Sequence, residues 1–425
     1  MHRSAIIVAI GDELILGQAL DTNSRRLAAW LVDRGIMPRR HLTLDDDEIA
    51  IELAIREAAR ETDLVILTGG LGPTADDLTR HALARTLDEK LITDDAALEH
   101  VRGWFARTGR AMPEANAVQA KRPPSAAMIP NPHGTAPGLH ATLSDADIFC
   151  LPGPPREMRP MFEDHVLPKL RPAGVVRTRI LRTVGLGEST VAGMLGDLMD
   201  RGRNPLVGTT ASSGVVSCRL RYEGDDADLA EQLLDETEAS VRDTLGPLVF
   251  GSGDDTLPGA IVRALTQHSA TVTTVESCTG GMIVSALTDV RGSSAVLERC
   301  FVTYSNEAKA DLVGVDPGVF QRDGAVSRAC VVQMAEGGLA RAGAQYAVAV
   351  SGIAGPDGGT DAKPVGTVWI AVASNNGPTD ARRFHFNGDR EAVRAWSVTL
   401  SLAMLWFAIA GDPQPVLLGQ ADPAG

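Results

Sequence analysis

The sequence lacks the cysteine pattern of a disulfide scaffold or a zinc site. Its five cysteines are scattered along 425 residues, and none belongs to a Cys-x-x-Cys pair or a Cys/His cluster. An odd, dispersed set of this kind predicts reduced thiols. We therefore expect neither disulfides nor structural zinc.

Two other features are missing. No run of about 18 uncharged apolar residues, the length that spans a bilayer, is evident, and residues 1–4 lead directly into an apolar strand without a small-residue cleavage site. We therefore expect a cytoplasmic protein with no membrane partner.

Basic residues are also in deficit. The chain has 40 Lys and Arg against 54 Asp and Glu, a formal net charge of −14. This balance would repel a phosphodiester backbone unless the basic residues were gathered on one face. Nucleic acid is not an expected partner.

The chain is long enough for several domains, about three at ~150 residues each. In residues 1–172, apolar runs such as 5–10 and 63–68 alternate with amphipathic stretches such as 23–34 and 48–59. Continuous apolar strands followed by helices are typical of a parallel sheet covered on both faces. The prediction is a doubly wound α/β domain.

The rest of the chain divides into two further domains. Residues 173–250 alternate strand and helix over too short a span for another doubly wound sheet, which favours a small α+β module. After a Gly- and Asp-rich hinge at 251–255, residues 253–412 predict a third, α/β domain that ends in a long helix at 391–410. Residues 413–425 are predicted to be a disordered tail.

Glycine-rich turns follow the two clearest strands of the first domain, at 11–13 and 69–74. In an open α/β sheet, ligands bind at the carboxyl ends of the strands, where helix N-termini present free N–H groups. Glycine lets the backbone approach an anion closely, and Thr74 can cap the helix that follows. The two turns predict a phosphate-binding crevice.

Acidic side chains collect around the same turns. Carboxylates beside a phosphate become favourable when a hard divalent cation lies between them, so a metal held by Asp12, Asp76 and Asp77 is predicted. The alternative is that Asp12 and Asp21 cap helices, while Asp76 and Asp77 complement a helix dipole.

A second candidate site follows the predicted strand 271–275. Ser277 stands at a strand-to-helix turn, where a hydroxyl is exposed and N–H groups near Gly280 and Gly281 could hold an oxyanion. A Gly-x-Ser-x-Gly elbow is absent, and the alternative is a Ser or Thr that only caps the helix.

Lys309 could act as the base for this serine. A lysine does so only when desolvation or a neighbouring cation lowers its pKa, and otherwise it is a surface residue. Cys278 is a rival nucleophile, but no histidine lies in the same motifs to generate its thiolate. The loops at 351–356 and 358–366 together predict a phosphate-binding surface.

These motifs together resemble the CinA family of competence/damage-inducible proteins over nearly the whole chain. The segments that carry the resemblance are Gly11-Asp12-Glu13-Leu14, Asp21-Thr22-Asn23, Gly69-Gly70-Leu71-Gly72-Pro73-Thr74, Asp76-Asp77-Leu78-Thr79, Pro152-Gly153-Pro154-Pro155-Arg156-Glu157-Met158, Glu276-Ser277-Cys278-Thr279-Gly280-Gly281, Tyr304-Ser305-Asn306-Glu307-Ala308-Lys309 and Gly352-Ile353-Ala354-Gly355-Pro356. The resemblance implies a molybdopterin-binding-like (MoCF) fold for residues 1–172, a KH-like middle module and a deamidase domain over 253–412.

For the last domain, the resemblance implies hydrolysis of nicotinamide mononucleotide (NMN) to nicotinate mononucleotide and ammonia without a cofactor. Ser277 is implied as the nucleophile, Lys309 as its activator and Tyr304 as an assisting group. Ser351 stands where the family usually has Thr. Both residues carry a hydroxyl, and we expect the Ser351 hydroxyl to keep the catalytic role of the threonine. Its positioning should be looser, because serine lacks the branched Cβ that restricts χ1. The implied substrate-binding residues are Thr279, Gly280, Gly281, Asn306, Gly352, Gly355 and Arg390, the last for the phosphate.

For the first domain, the resemblance implies an ADP-ribose pyrophosphatase that needs Mg, Mn or Co. Asp46 and Asp77 fall where relatives that synthesise the molybdenum cofactor keep functional aspartates. The nucleotide site is expected to comprise Gly11, Asp12, Glu13, Asp21, Asn23, Asp46, Gly69, Gly70, Gly72, Thr74 and Asp77.

Two alternatives remain beside a bifunctional hydrolase of pyridine-nucleotide salvage. The first domain could be only a nucleotide- or molybdopterin-binding regulatory module, since a fold does not determine a function. The chain could also be a competence-associated interaction protein, although its acidic balance disfavours direct action on DNA. A homodimer is expected in either case.

Overall fold

A computed structural model of the chain describes residues 1–107, 109–411 and 415–421. Its contacts divide the chain into two compact units. One unit contains Met1–Arg177 with Tyr222–Leu233, and the other contains Thr178–Arg221 with Leu234–Gly425.

The first domain is built on a six-stranded sheet in the order β2-β1-β3-β8-β7-β6. Strands β2, β1, β3 and β8 are parallel, β7 pairs antiparallel with β8, and β6 pairs antiparallel with β7. The strands, including a separate two-stranded pair β4-β5, are β1 (Ser4–Ile10), β2 (Met37–Leu44), β3 (Leu64–Thr68), β4 (Ile92–Thr93), β5 (Lys121–Arg122), β6 (Ala127–Ile129), β7 (Gly138–Leu143) and β8 (Ala146–Leu151).

Helices cover both faces of this sheet, as the doubly wound prediction requires. They are α1 (Asp12–Ile15), α2 (Thr22–Asp33), α3 (Glu48–Glu61), α4 (Thr79–Thr86), α5 (Asp95–Arg107) and α6 (Pro155–Met161). Alternate residues of β1 enter opposite cores because successive side chains of a strand point to opposite faces. Ile6 packs with α3 and α4, and Ile7 packs with α2 and α6.

The parallel register brings the two glycine-rich turns to one edge of this sheet. Ala9 of β1 pairs with Thr68 at the end of β3, which pairs with Leu151 at the end of β8. The turns that follow these strands therefore lie side by side, as the sequence predicts.

The middle module has a four-stranded sheet in the order β10-β11-β9-β12. Its elements are β9 (Val175–Val184), α7 (Glu188–Leu195), β10 (Leu206–Ser212), β11 (Val215–Gly224), α8 (Ala227–Leu245) and β12 (Val249–Ser252). This is the small α+β arrangement that the sequence predicts.

The third domain has a five-stranded sheet in the order β14-β13-β15-β16-β17, in which β14, β13 and β15 are parallel. Its strands are β13 (Val272–Glu276), β14 (Phe301–Val302), β15 (Tyr346–Gly352), β16 (Thr367–Ser374) and β17 (Gly377–His385). Its helices are α9 (Leu257–Gln267), α10 (Met282–Thr288), α11 (Asn306–Val313), α12 (Pro317–Arg322), α13 (Arg328–Ala342) and α14 (Arg390–Ala410).

Helix α14 is long and apolar enough, by length and composition alone, to cross a membrane. Within the fold, 56% of its apolar window is buried, and the helix packs against β15, β16 and α9. These contacts are those of a core helix, whose continuous apolar sequence follows from burial on several sides.

The described part of the predicted disordered tail, residues 415–421, is ordered against the third domain and the middle module. The Leu417 side chain is buried, Gly419 accepts a hydrogen bond from the His385 N–H at 2.9 Å, and the Leu418 N–H donates to Gly185 at 2.7 Å. Backbone pairing and a buried leucine hold this segment, so the prediction of disorder was wrong for it. Residues 413, 414 and 422–425 of the predicted tail lie outside the described residues.

Candidate functional site

The carboxy-terminal site forms where β13 lies between two parallel neighbours. The chain leaves β13 at Ser277, whose N–H donates to the carbonyl of Val350 in β15 at 3.1 Å. On the other side, the Thr303 N–H that follows β14 donates to the Glu276 carbonyl at 2.8 Å. Helix α11 begins after its N-cap Ser305, so the fold carries Lys309 to the end of β13.

Lys309 and Ser277 are in direct contact. The Lys309 Nζ lies 3.1 Å from Ser277 Oγ, 2.8 Å from the Thr303 carbonyl oxygen and 3.2 Å from the Tyr304 carbonyl oxygen. The lysine side chain is buried at 1% exposure, and Ser277 is 9% exposed. Lys309 is therefore not the surface lysine of the alternative interpretation.

Burial changes the chemistry of this amine. Desolvation lowers the pKa of Lys309 because it disfavours the charged ammonium, and the nearby thiols of Cys330 and Cys278 oppose the shift. Among the described residues, no carboxylate forms an ion pair with Lys309 to restore the charged form. The Nζ donates to Ser277 Oγ and to the carbonyls of Thr303 and Tyr304. Loss of one proton would leave two N–H groups for the carbonyls and a lone pair for the Ser277 hydroxyl.

Cys278 is unsuited to be the nucleophile. Its thiol is buried, and desolvation raises its pKa to about 11. At neutral pH the group is therefore a thiol rather than the reactive thiolate.

Tyr304 and Arg390 meet at the exposed side of the site. Tyr304 is 62% exposed, and its hydroxyl accepts a hydrogen bond from Arg390 Nη2 at 3.3 Å. Arg390 Nη1 donates to the Gly355 carbonyl at 2.8 Å. The structure thus brings together three residues that the sequence predicts for one site.

Other predicted residues have different partners. The buried Ser351 hydroxyl donates to the Ala325 carbonyl at 2.8 Å, and the Thr279 hydroxyl donates to the Glu276 carboxylate at 2.7 Å. Both hydroxyls thus bind protein groups. Asn306 is exposed at the first turn of α11, and Gly352 ends β15 half-buried.

The prediction that N–H groups near Gly280 and Gly281 hold an oxyanion was wrong for those two groups. The Gly280 N–H donates to the Ser277 carbonyl at 3.1 Å, and the Gly281 N–H donates to Glu276 Oε2 at 2.9 Å. Both donors are consumed inside the turn, so neither is free for a substrate.

Two charged residues at this site escape the sequence analysis. Glu276 is fully buried and accepts hydrogen bonds from the first N–H groups of α10. Arg394 donates to the carbonyls of Cys278 and Thr279. A signal for Arg394 exists in the sequence, because it lies four residues after Arg390 on one helix and therefore on the same face.

The amino-terminal crevice is a cavity of about 390 Å³. Its walls include the turns after β1 and β3 and residues 152–154 after β8. Five carboxylates, and no Lys, Arg or His, are among the lining residues. These are Glu13, Asp46, Asp76, Asp77 and Glu157.

The close approach of the first two turns explains one of the glycines. Gly69 has φ +112°, and a Cβ there would lie 2.1 Å from the carbonyl oxygen of Ile10. Only glycine fits this position. The crevice therefore depends on Gly69 to bring the ends of β1 and β3 together.

The structure gives Asp77 a different role from the predicted metal ligand. Its carboxylate accepts hydrogen bonds from the N–H groups of Gly72 at 2.7 Å and Thr74 at 2.8 Å, and also from the Thr74 hydroxyl. With these bonds Asp77 shapes the glycine-rich turn 69–74, and each of its two oxygens already accepts a hydrogen bond from the protein.

The backbone N–H groups of Asp12 and Asp46 each donate a hydrogen bond to the carboxylate of the other residue. The Asp12 N–H donates to Asp46 at 3.0 Å, and the Asp46 N–H donates to Asp12 at 3.2 Å. Burial raises the pKa of Asp46; the bond from Asp12 opposes the shift, whereas the charges of Asp12, Asp76 and Glu13 reinforce it. A cation would relieve this crowding of like charges.

The capping alternative is correct for Asp21. Its carboxylate accepts a hydrogen bond from the Ser24 N–H at 2.9 Å as the N-cap of α2. Asn23 bridges the Thr68 hydroxyl and the Gly153 carbonyl. Both residues line a second cavity of about 340 Å³ that shares Ile10, Glu13, Gly153 and Pro154 with the first.

The described residues contain no group of three or more His, Cys, Asp or Glu side chains arranged to hold a metal ion. The donor set fits a cation that arrives with phosphate oxygens, as Mg²⁺ does where one or two carboxylates and the substrate complete its shell. Of the predicted ligands, Asp76 and Asp77 line this cavity, whereas Asp12 is not among the lining residues.

A buried arginine beside this crevice also escapes the sequence analysis. Arg80 is fully buried in α4, and its Nη2 lies 3.3 Å from the Leu71 carbonyl oxygen. Its Nε and Nη1 have no hydrogen-bond partner among the described residues. Burial lowers its pKa to about 10, so the group stays charged at neutral pH and offsets part of the negative charge.

Comparisons with known proteins cover almost the whole chain. Residues 6–172 match the family described as probable molybdopterin binding domain, 178–251 the damage-inducible protein CinA KH domain, and 254–408 the CinA C-terminal domain. Over 416 residues the chain is 42% identical to a putative competence-damage inducible protein of Symbiobacterium thermophilum, covering 94% of this chain and 97% of that protein. It is 43% identical over 406 residues to a CinA-like protein of Geobacter metallireducens, with the same coverages.

A solved structure is also similar to part of the chain. The crystal structure of the competence/damage inducible protein CihA from Agrobacterium tumefaciens is 44% identical and covers 36% of this chain and 93% of its own, with a TM-score of 0.36.

Proposed function

The chain belongs to the CinA family, and we propose that its carboxy-terminal domain is an amidase that hydrolyses NMN to nicotinate mononucleotide and ammonia. The observation that carries the proposal is the contact of 3.1 Å between the buried Lys309 Nζ and Ser277 Oγ. A serine paired with a desolvated amine is an activated nucleophile, and it supports acyl transfer at an amide.

The reaction begins with neutral Lys309, whose N–H groups are held by the carbonyls of Thr303 and Tyr304. Its lone pair takes the Ser277 proton as Oγ attacks the carboxamide carbon, forming a tetrahedral intermediate. The intermediate collapses as Lys309 returns the proton to the amide nitrogen, and ammonia leaves an acyl-enzyme ester. Lys309 then deprotonates a water that attacks the ester, which releases the carboxylate and restores Ser277. These steps use protein groups and water.

Arg390 is proposed to bind the nucleotide phosphate. Its guanidinium lies at the exposed side of the site, and its partners are the Gly355 carbonyl and the Tyr304 hydroxyl rather than a carboxylate. A phosphate is a stronger, charge-assisted acceptor than either group. The Tyr304 side chain would then border the phosphate rather than the reacting serine.

Ammonia release from NMN by the purified full chain tests this function. Ser277→Ala is expected to lower kcat by at least roughly a thousandfold, as loss of an activated nucleophile does. Cys278→Ala, the matched change at the next residue, is expected to retain most of the activity because the buried thiol stays protonated. Full activity of Ser277→Ala, or loss of activity only in Cys278→Ala, would refute the assignment.

For the first domain we propose metal-dependent hydrolysis of ADP-ribose to AMP and ribose 5-phosphate. Support comes from the cavity of about 390 Å³, in which glycine turns face a cluster of carboxylates. A divalent cation held by one or two of the lining carboxylates Glu13, Asp46 and Asp76, together with the diphosphate oxygens, would neutralise the diphosphate and lower the pKa of a bound water. The chain's own contribution is the glycine-rich turn 69–74 that Asp77 shapes.

The same observations also suit a domain that binds a nucleotide or molybdopterin without turnover. Incubation of the full chain with ADP-ribose and Mg²⁺, Mn²⁺ or Co²⁺ separates the two. AMP formation that stops on chelation and in Asp46→Asn supports the hydrolase, whereas saturable binding without AMP supports the binding module. We further propose that both sites act on small nucleotides in the cytoplasm and that the chain forms a homodimer, which gel filtration with light scattering would test.

A further inference from the structure

Two charged side chains form hydrogen bonds with the backbone of the turn that carries Ser277. On one side is the Glu276 carboxylate, which is fully buried. It accepts hydrogen bonds from the N–H groups of Gly281 at 2.9 Å, Ile283 at 3.0 Å and Val284 at 2.9 Å. These bonds occupy N–H groups at the start of α10 that have no partner within the helix.

On the other side is the guanidinium of Arg394. Its Nε donates to the Cys278 carbonyl at 3.1 Å, and its Nη2 donates to the Thr279 carbonyl at 2.9 Å. Within the described ranges, no Asp or Glu forms an ion pair with Arg394. Its two bonds to successive carbonyls fix the orientation of two successive peptide planes.

The orientation of these planes decides which N–H groups remain for a ligand. A trans peptide points its N–H opposite to its carbonyl, so a Cys278 carbonyl held by Arg394 turns the Thr279 N–H away from Arg394. The Ser277 carbonyl is held by the Gly280 N–H, which likewise sets the direction of the Cys278 N–H. Arg394 also orients the Gly280 N–H, because it holds the Thr279 carbonyl of the same peptide. In the part of the chain that the structure describes, the Cys278 N–H donates to no other residue, and Cys278 is 7% exposed whereas Thr279 is fully buried.

We propose that Arg394 and Glu276 are positioning residues of the amidase, and that the oxyanion donor they set in place is the N–H group of Cys278. This inference rests on the proposed function. As Ser277 attacks, the carbonyl π electrons of the substrate move onto its oxygen, and preorganised donors beside the nucleophile stabilise that charge. Neither Arg394 nor Glu276 touches the substrate.

Steady-state kinetics of full-length Arg394→Gln and Glu276→Gln test the proposal, with Glu391→Gln, an exposed residue of the same helix, as the control. Loss of one oxyanion donor costs roughly 100- to 1000-fold in kcat. Arg394→Gln and Glu276→Gln, which would misplace the donor, are therefore expected to lower kcat by about 10- to 100-fold and to leave KM within about twofold of the wild-type value. Arg394→Lys, which keeps one carbonyl bond, is expected to recover part of the loss, and the midpoint of the pH profile should not move because Lys309 is untouched.

Substrates with and without a phosphate distinguish positioning from substrate binding. If Arg394 instead binds the phosphate, Arg394→Gln will raise KM for NMN but leave nicotinamide riboside hydrolysis unchanged. That result, or an unchanged kcat for both substrates in folded Arg394→Gln, would overturn the proposal. Thermal melting identifies any variant that fails to fold, and Arg394→Lys then carries the test.

A fluorophosphonate probe separates this inference from the amidase proposal. When the probe labels Ser277, its phosphoryl oxygen needs the same oxyanion donor as the substrate oxygen. The probe contains no nicotinamide. A wild-type chain that is labelled but releases no ammonia from NMN refutes the proposed substrate alone. Slower labelling of Arg394→Gln would still support positioning, and equal labelling rates would overturn it.

Discussion

The Nζ of Lys309 lies 3.1 Å from Ser277 Oγ although 32 residues separate them in the chain. Parallel pairing of β14 with β13 creates this contact, because it brings the start of α11 to the strand end from which Ser277 emerges. Burial then lowers the pKa of the amine, which favours the neutral form that can accept a proton.

The amidase activity is expected to rise with pH along a single ascending limb. Lys309 acts as a base only when neutral, that is, above its pKa, and burial moves that pKa below its ordinary value of 10.5. The midpoint of kcat/KM against pH should therefore lie below 10.5. Lys309→Arg should be inactive throughout, since a guanidinium stays protonated. A midpoint at or above 10.5 would contradict the proposed role.

Lys309→Met should stabilise the fold while abolishing activity. At a pH below the lowered pKa, folding buries an ammonium without a carboxylate partner, and an apolar side chain of similar length avoids that cost. The expected gain is about 1–3 kcal/mol in the free energy of unfolding, by analogy with buried charges replaced by apolar groups.

The pH dependence of that gain provides the check. Between the lowered folded pKa and the unfolded value of 10.5, the unfolded wild-type chain binds more protons than the folded chain, so wild-type stability rises with pH. The advantage of Lys309→Met in urea unfolding should accordingly shrink as the pH approaches 10.5. A constant difference across this range would show that burial of the charge is not its cause.

Arg390→Gln is expected to raise KM for NMN by about tenfold, in line with the loss of one charge-assisted contact. Nicotinamide riboside, which has no phosphate, should show little change, and kcat should fall less than KM rises. Competition by inorganic phosphate offers a second measurement, since the variant should lose it. Equal losses for nucleotide and nucleoside would instead assign Arg390 to the organisation of the Tyr304 and Gly355 contacts.

Asp46→Asn and Asp77→Asn should affect the first domain in different ways. Asp46 lies in the cluster of like charges, so its loss is expected to weaken Mg²⁺-dependent binding of AMP by about tenfold and leave metal-free binding unchanged. Asp77 holds the glycine-rich turn 69–74 in place, so Asp77→Asn should weaken AMP binding with and without Mg²⁺. Calorimetric titration measures both.

Asp145→Asn serves as the matched control for these variants, because this exposed residue precedes β8 at the opposite end of the strand from the crevice. Magnesium-dependent binding that survives in Asp46→Asn would remove that residue from the cation site. An effect of Asp77→Asn confined to the Mg²⁺ titration would restore it as a ligand.

Sequence patterns predicted strands such as 5–10, 63–68 and 271–275, the doubly wound first domain and the segments that form each site. They failed where a role depends on which backbone group a side chain meets. Asp77 looks like a metal ligand in a motif, but it is a loop-shaping acceptor. Gly280 and Gly281 look like oxyanion donors, but their N–H groups are bonded within the turn. Arg80 and Arg394 belong to none of the motifs that carry the family resemblance.

The amino-acid sequence by itself determined which chemical groups stand at the ends of the central strands, because alternation of apolar and turn residues specifies where each strand ends. Only the tertiary structure decided which of those groups are free to act. Hydrogen-bond donors and acceptors are shared among neighbours distant in the chain, and the pKa of Lys309 depends on burial that the whole domain creates.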